Sequence, residues 1–309
     1  MVYFNLFRWP NLVFVAALMV FFRFFIVVPL FEANMVVPAL SQVNFFLLVV
    51  ATVMICAAGY AINGYFDLRK DRINQPEKLI VGRLLARRSV IFWHWVLNTI
   101  GGIVGVYISW YIEFFPLALA FFLLPFLLWL YAFAFKRWFI FGNVFIATLS
   151  ALIIYLVWTV EFEAAKYLVL PAEIVTKGRF YLMVYCGLLF FIFFALEVFK
   201  DFFHFEGDRK TGVRSFPVVL GVTMARNVFL GLLIVAINIA GIYVFWLSKN
   251  FYPYSVAFML AFVMVPLAIT IFNTYKPIEQ WDPKKSIVVF NAIFISIVLS
   301  MVVQYFYII

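Results

Sequence analysis

Two acidic segments in an otherwise apolar sequence carry the side chains best suited to chemistry. The first segment, NGYFDLRKD at residues 63–71, spaces Asn63, Asp67 and Asp71 four residues apart. On an α-helix, residues four apart differ by about 40° in direction, so these three side chains form one stripe about 12 Å long. A carboxamide and two carboxylates in register offer the oxygen ligands that Mg²⁺ prefers.

The second acidic segment, EVFKDFFHFEGDRKTG at residues 197–212, repeats this arrangement. If a helix continues through it, Asp201 and Asp208 are nearly eclipsed, with His204 between them on the same face. Gly207 is a candidate end for that helix. Two such stripes facing each other provide ligands for a pair of Mg²⁺ ions with a diphosphate between them.

Basic residues surround both segments and would neutralise the remaining charge of a bound diphosphate. They are Arg69, Lys70, Arg72, Lys78, Lys136, Arg137, Lys200, Arg209 and Lys210. The alternative is a solvated network of salt bridges, which acids and bases at a membrane border commonly form. Because both stripes lead into basic loops on the same side of the membrane, we favour the metal–diphosphate site.

The elements that position these side chains are predicted to be membrane helices. The 309 residues are 67% hydrophobic and 12% charged, with a mean hydropathy of +1.09, which excludes a soluble domain. Continuous apolar runs of roughly 18 residues or more indicate helices rather than barrel strands. Such runs lie near 12–30, 43–66, 90–110, 115–135, 138–160, 180–200, 227–247, 252–273 and 286–307.

We therefore predict an all-α polytopic membrane protein with nine spans in a single domain over residues 1–309. The two acidic motifs at 63–71 and 201–208 form a coarse internal repeat within that domain. The first apolar run is too long for a cleavable signal peptide and is expected to stay as a helix.

The distribution of Lys and Arg predicts the orientation. With nine spans, most of the 23 basic residues fall on one side, and the positive-inside rule places the N-terminus and both acidic segments in the cytoplasm. The expected location is the inner or plasma membrane of the cell. Basic loops that face anionic lipid account for the net charge of +9 without nucleic acid as a partner.

Three stretches resemble motifs of the UbiA-type intramembrane prenyltransferases. NGYFDLRKD followed by RINQPEKLIVGRL is similar to their NxxxDxxxD motif and the loop after it. KDFFHFEGDRKTGVRSFPVVLG, at 200–221, resembles their second motif, commonly KDxxDxxGDxxxG followed by a proline. YAFAFKRWFIFGN, at 131–143, resembles the Tyr–Lys–Arg–Gly–Asn stretch after their fourth helix. Together with the nine predicted spans, these stretches extend the resemblance over nearly the whole chain.

The resemblance implies a bundle of nine helices around a central cavity that opens sideways to the bilayer, with cytoplasmic loops capping it. It also implies an enzyme that uses Mg²⁺ to transfer a prenyl group from a prenyl diphosphate to a lipophilic acceptor. The implied metal ligands are Asn63, Asp67, Asp71 and Asp208, with Asp201 as a further candidate. The resemblance also implies that Lys78, Lys136 and Arg137 bind the diphosphate. With the other nearby polar residues, the predicted diphosphate-binding set is Asn63, Arg72, Lys78, Lys136, Arg137, Lys200 and His204. The predicted catalytic residues are Asp67, Asp71, Asp208 and Tyr131.

One departure from the family pattern concerns the second motif. His204 stands where the family usually has the first Asp of the pair. Asp201 faces the same direction and is able to replace that carboxylate. Alternatively, the imidazole accepts a metal such as Mn²⁺ more readily, or donates a hydrogen bond to phosphate as a cation.

The expected mechanism is loss of diphosphate to leave an allylic carbocation, which requires a dry cavity and is stabilised by aromatic faces such as Tyr131. The second motif is most similar to the branch that alkylates geranylgeranylglyceryl phosphate. An aromatic quinone precursor is the next candidate acceptor. Two alternatives of other classes are an ion-coupled transporter, whose charged sites usually lie near the bilayer midplane, and a non-catalytic scaffold suggested by His204.

Overall fold

The structure, a computed structural model, describes residues 2–74, 77 and 79–308, with the backbone alone at Lys70 and Asn74. Within these residues, nine helices are long and apolar enough to cross a membrane, which confirms the predicted spans. In chain order, with three short helices included, the elements are Val2–Leu6 (α1), Trp9–Glu32 (α2), Gln42–Phe66 (α3), Leu68–Asn74 (α4), Arg87–Tyr111 (α5), Phe115–Phe133 (α6), Phe141–Ala164 (α7), Ala172–Thr211 (α8), Phe216–Leu220 (α9), Val222–Lys249 (α10), Pro253–Thr274 (α11) and Pro283–Ile308 (α12).

The first acidic segment keeps its helical geometry across the break between α3 and α4. The Asp67 amide donates to the Asn63 carbonyl at 2.9 Å, and the Asp71 amide donates to the Asp67 carbonyl at 2.8 Å. Helical hydrogen bonds of four-residue spacing therefore continue through the junction. Asn63, Asp67 and Asp71 keep the common face that their spacing predicts.

The second acidic segment lies at the end of a much longer helix than its apolar run predicts. Helix α8 continues through Gly207, so the expectation that this residue ends the helix is wrong. Helix α8 ends before Gly212, whose φ of 74° is a left-handed conformation that glycine adopts without a steric cost. The Thr211 hydroxyl donates to the Gly207 carbonyl at 2.6 Å and helps to close the last turn.

The helices form a ring in which the two acidic segments meet. Helix α3 packs along α5, and α7 packs along α8; α2 contacts α3, α7 and α12. The short helix α4 packs against α8, which brings the first acidic segment beside the second. Helices α6 and α7 are joined by a single 3₁₀ turn at Phe135–Arg137.

Two glycines permit close packing within this ring. A β-carbon at Gly105 of α5 would lie 2.2 Å from the Phe121 ring of α6, and one at Gly178 of α8 would lie 2.0 Å from the Trp158 indole of α7. Since no real side chain fits at these distances, an alanine at either position would push the two helices apart.

A buried ion pair joins α2 to α7 inside the bundle. The Arg23 Nε donates to Glu161 Oε2 at 2.9 Å, and the two side chains are only 2% and 1% exposed. The guanidinium also donates to the Leu40 carbonyl, while the Leu40 amide donates to Glu161 Oε1 at 3.4 Å. Arg23 begins a π-helical turn of α2. This pair fixes the segment before α3 against two spans.

Candidate active site

One cavity of about 1540 Å³ occupies the centre of the ring. Its volume exceeds the range of about 300–1,000 Å³ that is usual for small-molecule sites. At one end it is lined by both acidic segments. The rest of its wall is formed largely by apolar side chains of α2, α6, α7 and α12, including Val15, Leu124, Ile153 and Val298.

The cavity also reaches the outer surface of the bundle at the sides. Val13 of α2 and Leu299 of α12 both line it and are exposed, as are Leu123 of α6 and Leu152 of α7. These side chains would face lipid hydrocarbon in a bilayer. The expectation of a central cavity that opens sideways therefore agrees with the structure.

The first acidic segment meets the 3₁₀ turn between α6 and α7. Asn63, Asp67 and Asp71 all line the cavity. The Lys136 ammonium donates to Asn63 Oδ1 at 3.1 Å and forms an ion pair with Asp67 Oδ2. The side chains of Lys136 and Asp67 remain 22% and 13% exposed, so this pair is open to the cavity.

The second acidic segment lines the same end of the cavity with Lys200, Asp201 and His204. Asp201 Oδ2 accepts a hydrogen bond from the Asn143 Nδ2 at 3.0 Å and a longer one from the Phe216 amide at 3.5 Å. These bonds hold the Asp201 carboxylate at the cavity wall between α7 and α9.

Tyr131 also lies at the wall. Its ring is buried and stacks on Phe145, with ring centroids 5.3 Å apart and an angle of 13° between the planes. Both rings of this stack line the cavity, and Tyr131 lies five residues before Lys136.

Four predicted residues lie elsewhere or outside the described part. Asp208 is fully buried and is not among the residues that line the cavity; its carbonyl accepts the amides of Gly212 and Val213. Arg137 is exposed, and Arg72 lines a separate shallow depression beside Arg69. Lys78 lies outside the described residues.

Several polar residues at the cavity are missing from the expected set. Glu197 lines it and accepts a hydrogen bond from Lys200 at 2.6 Å; its position four residues before Asp201 was the signal that could have identified it. Asn143 ends the third family-like stretch. The Ser215 hydroxyl also lines the cavity, is buried, and has no hydrogen-bond partner among the described residues.

The donor set at this end of the cavity fits a hard divalent cation. The lining side chains include the carboxamide and carboxylates of both segments, and the Lys136 ammonium already lies between Asn63 and Asp67 as a cation would. Among the described residues, no three His, Cys, Asp or Glu side chains are grouped closely enough to hold a metal alone. Mg²⁺ takes one or two carboxylates and completes its shell with water and substrate phosphates.

Curated relatives with similar sequences are digeranylgeranylglyceryl phosphate synthases. The Pyrococcus horikoshii synthase is 30% identical over 168 residues, which are 54% of this chain and 53% of that protein. The Haloquadratum walsbyi synthase is 32% identical over 191 residues, or 61% and 60% of the two chains. The matched part thus spans little more than half of these relatives.

Solved structures share the fold over nearly the full chain. A UbiA homolog from Archaeoglobus fulgidus bound to GPP and Mg²⁺ superposes with a TM-score of 0.64 and 15% identity, covering 100% of this chain and 99% of that one. An apo UbiA homolog from Aeropyrum pernix K1 gives 0.64 and 16%, with 95% and 98% covered. Residues 24–298 match the UbiA prenyltransferase family as a whole. The chain belongs to the UbiA prenyltransferase family.

Proposed function

We propose that this protein is an integral-membrane prenyltransferase that moves a prenyl group from a prenyl diphosphate to a lipophilic acceptor. The observation that carries the proposal is the joining of two acidic segments and an extended apolar wall in one cavity. A diphosphate and a long hydrocarbon chain need these two environments side by side. The acceptor class that we favour is geranylgeranylglyceryl phosphate, because the similar curated relatives are synthases of its prenylated product.

The polar end would bind the diphosphate. Lys136 and Lys200 line it and supply ammonium donors, and the buried Ser215 hydroxyl, which has no hydrogen-bond partner in the described part of the chain, supplies a neutral one. Asn63, Asp67, Asp71 and Asp201 are the residues that would hold Mg²⁺. Asp208, predicted from its helical alignment with Asp201 and from the resemblance, is not among the residues that line the cavity. Two ions are expected, and the His204 imidazole would accept Mn²⁺ more readily than a carboxylate does. Bound Mg²⁺ would neutralise charge on the departing diphosphate.

The remaining residues would orient the prenyl chain and exclude water from it. The apolar wall would hold the chain extended away from the polar end, with its allylic carbon near the Tyr131–Phe145 stack, both rings of which line the cavity. Positive charge that develops on this carbon as the C–O bond breaks would be stabilised by an aromatic face. The dry wall would protect it until the acceptor hydroxyl attacks and transfers its proton to the released diphosphate.

The orientation and location are part of this proposal. We infer that the acidic end of the bundle faces the cytoplasm, because the loops at that end carry most of the basic residues. The expected membrane is the inner or plasma membrane.

A transfer assay tests the proposal. Purified protein in nanodiscs receives Mg²⁺ and radiolabelled geranylgeranyl diphosphate, with geranylgeranylglyceryl phosphate, 4-hydroxybenzoate or dihydroxynaphthoate in parallel reactions. Asp67→Ala is the test variant, and Glu173→Ala, an exposed carboxylate at the far end of α8, is the matched control. A labelled product that is lost with Asp67→Ala and with EDTA, but kept with Glu173→Ala, supports the enzyme.

Other outcomes correct or overturn it. Product with an aromatic acceptor alone would replace the glycerol phosphate acceptor by a quinone precursor. Binding of the labelled diphosphate without transfer to any of the three acceptors would reject this acceptor set. No binding with either Mg²⁺ or Mn²⁺ would reject the enzyme itself.

A further inference from the structure

A second polar group lies at the cavity, on other elements than the two acidic segments. Arg8 lines it just before α2, Asn11 from α2, Tyr60 from α3 and Asn291 from α12. The Arg8 guanidinium lies over the Tyr60 ring at 5.4 Å from its centroid, and the Asn11 Nδ2 donates to the Tyr60 hydroxyl at 3.2 Å. We call these four residues the Arg8 cluster.

The charge of Arg8 acts on the Glu197 carboxylate, which lines the same cavity, but without a contact ion pair. No ion pair joins Arg8 to an acid among the side chains that the structure describes. Its backbone is left-handed, with φ 51° and ψ 54°, which is uncommon for a residue other than glycine or asparagine. The cation at the cavity is thus retained in an unfavourable backbone conformation, as is frequent at ligand sites.

The two asparagines lie at the same depth on facing helices. The Phe14 and Phe294 rings of α2 and α12 are in contact, with centroids 5.6 Å apart. Asn11 and Asn291 each precede one of these rings by three residues. Because both helices run the same way across the bundle, the two amides are placed on either side of the α2–α12 boundary.

The Arg8 cluster is adjacent to the proposed diphosphate end, where the Arg8 charge acts on Glu197 and Tyr131. Tyr60 precedes Asn63 by three residues, so the ring that Arg8 overlies is attached to α3 about one helical turn, roughly 5 Å, from Asn63. Exposed apolar side chains flank the cluster where the cavity opens between α2 and α12, namely Val13, Ile287, Ile295 and Leu299.

We propose that the Arg8 cluster binds the phosphate headgroup of the acceptor lipid. This inference rests on the proposed function and adds the group that recognises its acceptor. A guanidinium binds a phosphate through two parallel hydrogen bonds, and asparagine amides supply further donors. The apolar rim accommodates the lipid's hydrocarbon chain. In a glycerol phosphate the free hydroxyl is on the carbon next to the phosphate ester, so a phosphate held one turn from Asn63 directs that hydroxyl toward the departing diphosphate.

Equilibrium binding tests this proposal without requiring turnover. Protein in nanodiscs is titrated with geranylgeranylglyceryl phosphate and, separately, with the corresponding alcohol that lacks the phosphate. The variants are Arg8→Gln and Arg8→Asn, the second because asparagine tolerates the left-handed backbone and so keeps the fold. Arg88→Gln, an exposed arginine that does not line the cavity, is the matched control.

We expect the native protein and Arg88→Gln to bind the phosphate lipid at least about 30-fold more tightly than the alcohol, and both Arg8 variants to lose this preference. Binding of geranylgeranyl diphosphate should change less than about threefold in all of them. The transfer assay then reports the same loss as a rise in KM for the phosphate acceptor with the KM for the donor unchanged.

Three outcomes would overturn the inference while leaving the proposed function intact. One is an equal loss of affinity for phosphate lipid and alcohol. The second is a matching loss of donor binding, which would place Arg8 in the diphosphate site. The third is displacement of the lipid by inorganic phosphate at an equal concentration, which would indicate a site for the free ion. Failure of the native protein to transfer to any acceptor, with the phosphate preference present, would reject the function alone.

Discussion

Two acid–base pairs inside the helix bundle contain the same kinds of group but differ in their access to the cavity. Asp67 and Lys136 pair at the polar end of the cavity, where both side chains keep part of their surface exposed. Arg23 and Glu161 pair between α2 and α7, where both side chains have almost no exposed surface. In the first pair, Lys136 or Asp67 is able to release the other and bind a ligand in the cavity. In the second pair, Arg23 and Glu161 bind each other and the Leu40 backbone, and neither reaches a ligand.

Access to the cavity distinguishes an ion pair that serves function from one that serves stability in a membrane protein. A charge within a span is costly unless it is paired or hydrated, so its presence alone does not identify a site. Access to the cavity is the property that distinguishes the two pairs. Substitutions in the accessible pair should therefore affect activity, and substitutions in the buried pair should affect folding.

Asp67→Ala should give the largest loss of activity. It removes a carboxylate that lies against Lys136 and Asn63 at the proposed diphosphate site, and we expect transfer to fall by at least about a hundredfold. The melting temperature in detergent should change little, because the pair is partly exposed. A loss of activity that tracks a loss of folded protein would instead assign Asp67 to stability, like Glu161.

Glu161→Ala should have the opposite profile. It leaves the Arg23 charge buried without its carboxylate, and we expect the folded state to lose about 3–5 kcal/mol. Thermal unfolding in detergent measures this loss, while activity per folded molecule stays near that of the native protein. The double variant Arg23→Met, Glu161→Met is the control and should recover most of the stability. No recovery would mean that the charges themselves are not the source of the effect.

Substitutions at His204 should have intermediate effects that show which group completes the second segment. If Asp201 supplies the carboxylate, His204→Ala should lower activity by less than about tenfold, and Asp201→Ala by considerably more. His204→Asp should retain activity and reach its half-maximum at a lower Mg²⁺ concentration. Titration of Mg²⁺ for all three variants checks the order. A greater loss for His204→Ala than for Asp201→Ala would make the imidazole the more important group.

Tyr185→Phe should have the smallest effect. Tyr185 lies in a buried polar group between α8, α10 and α12, where its hydroxyl is 3.2 Å from Ser300 Oγ. The Ser300 hydroxyl donates to the Ile297 carbonyl at 2.7 Å. Ser300 therefore keeps a hydrogen bond when the Tyr185 hydroxyl is removed. We expect a loss of about 0.5–1.5 kcal/mol in thermal unfolding and unchanged transfer. A clear loss of transfer would connect this group to the site.

The nine spans and the first acidic stripe could be predicted from the sequence. Each depends on a pattern within one segment: continuous apolar length for the spans, and four-residue spacing for Asn63, Asp67 and Asp71. Local hydrogen bonds along a helix enforce such spacing whatever the rest of the chain does. The same reasoning put Asp201 and His204 on one face, and both line the cavity.

Only the tertiary structure decided which distant side chains meet. The contacts of Lys136 with Asp67, of Asn143 with Asp201, and of Glu161 with Arg23 each join helices far apart in sequence. The helical period that aligned Asp208 with Asp201 carries no information on what α8 packs against, and Asp208 is buried and is not among the residues that line the cavity. Spacing along a helix fixes the direction of a side chain relative to its own axis, but the packing of neighbouring helices determines whether that direction leads to ligand, lipid or protein.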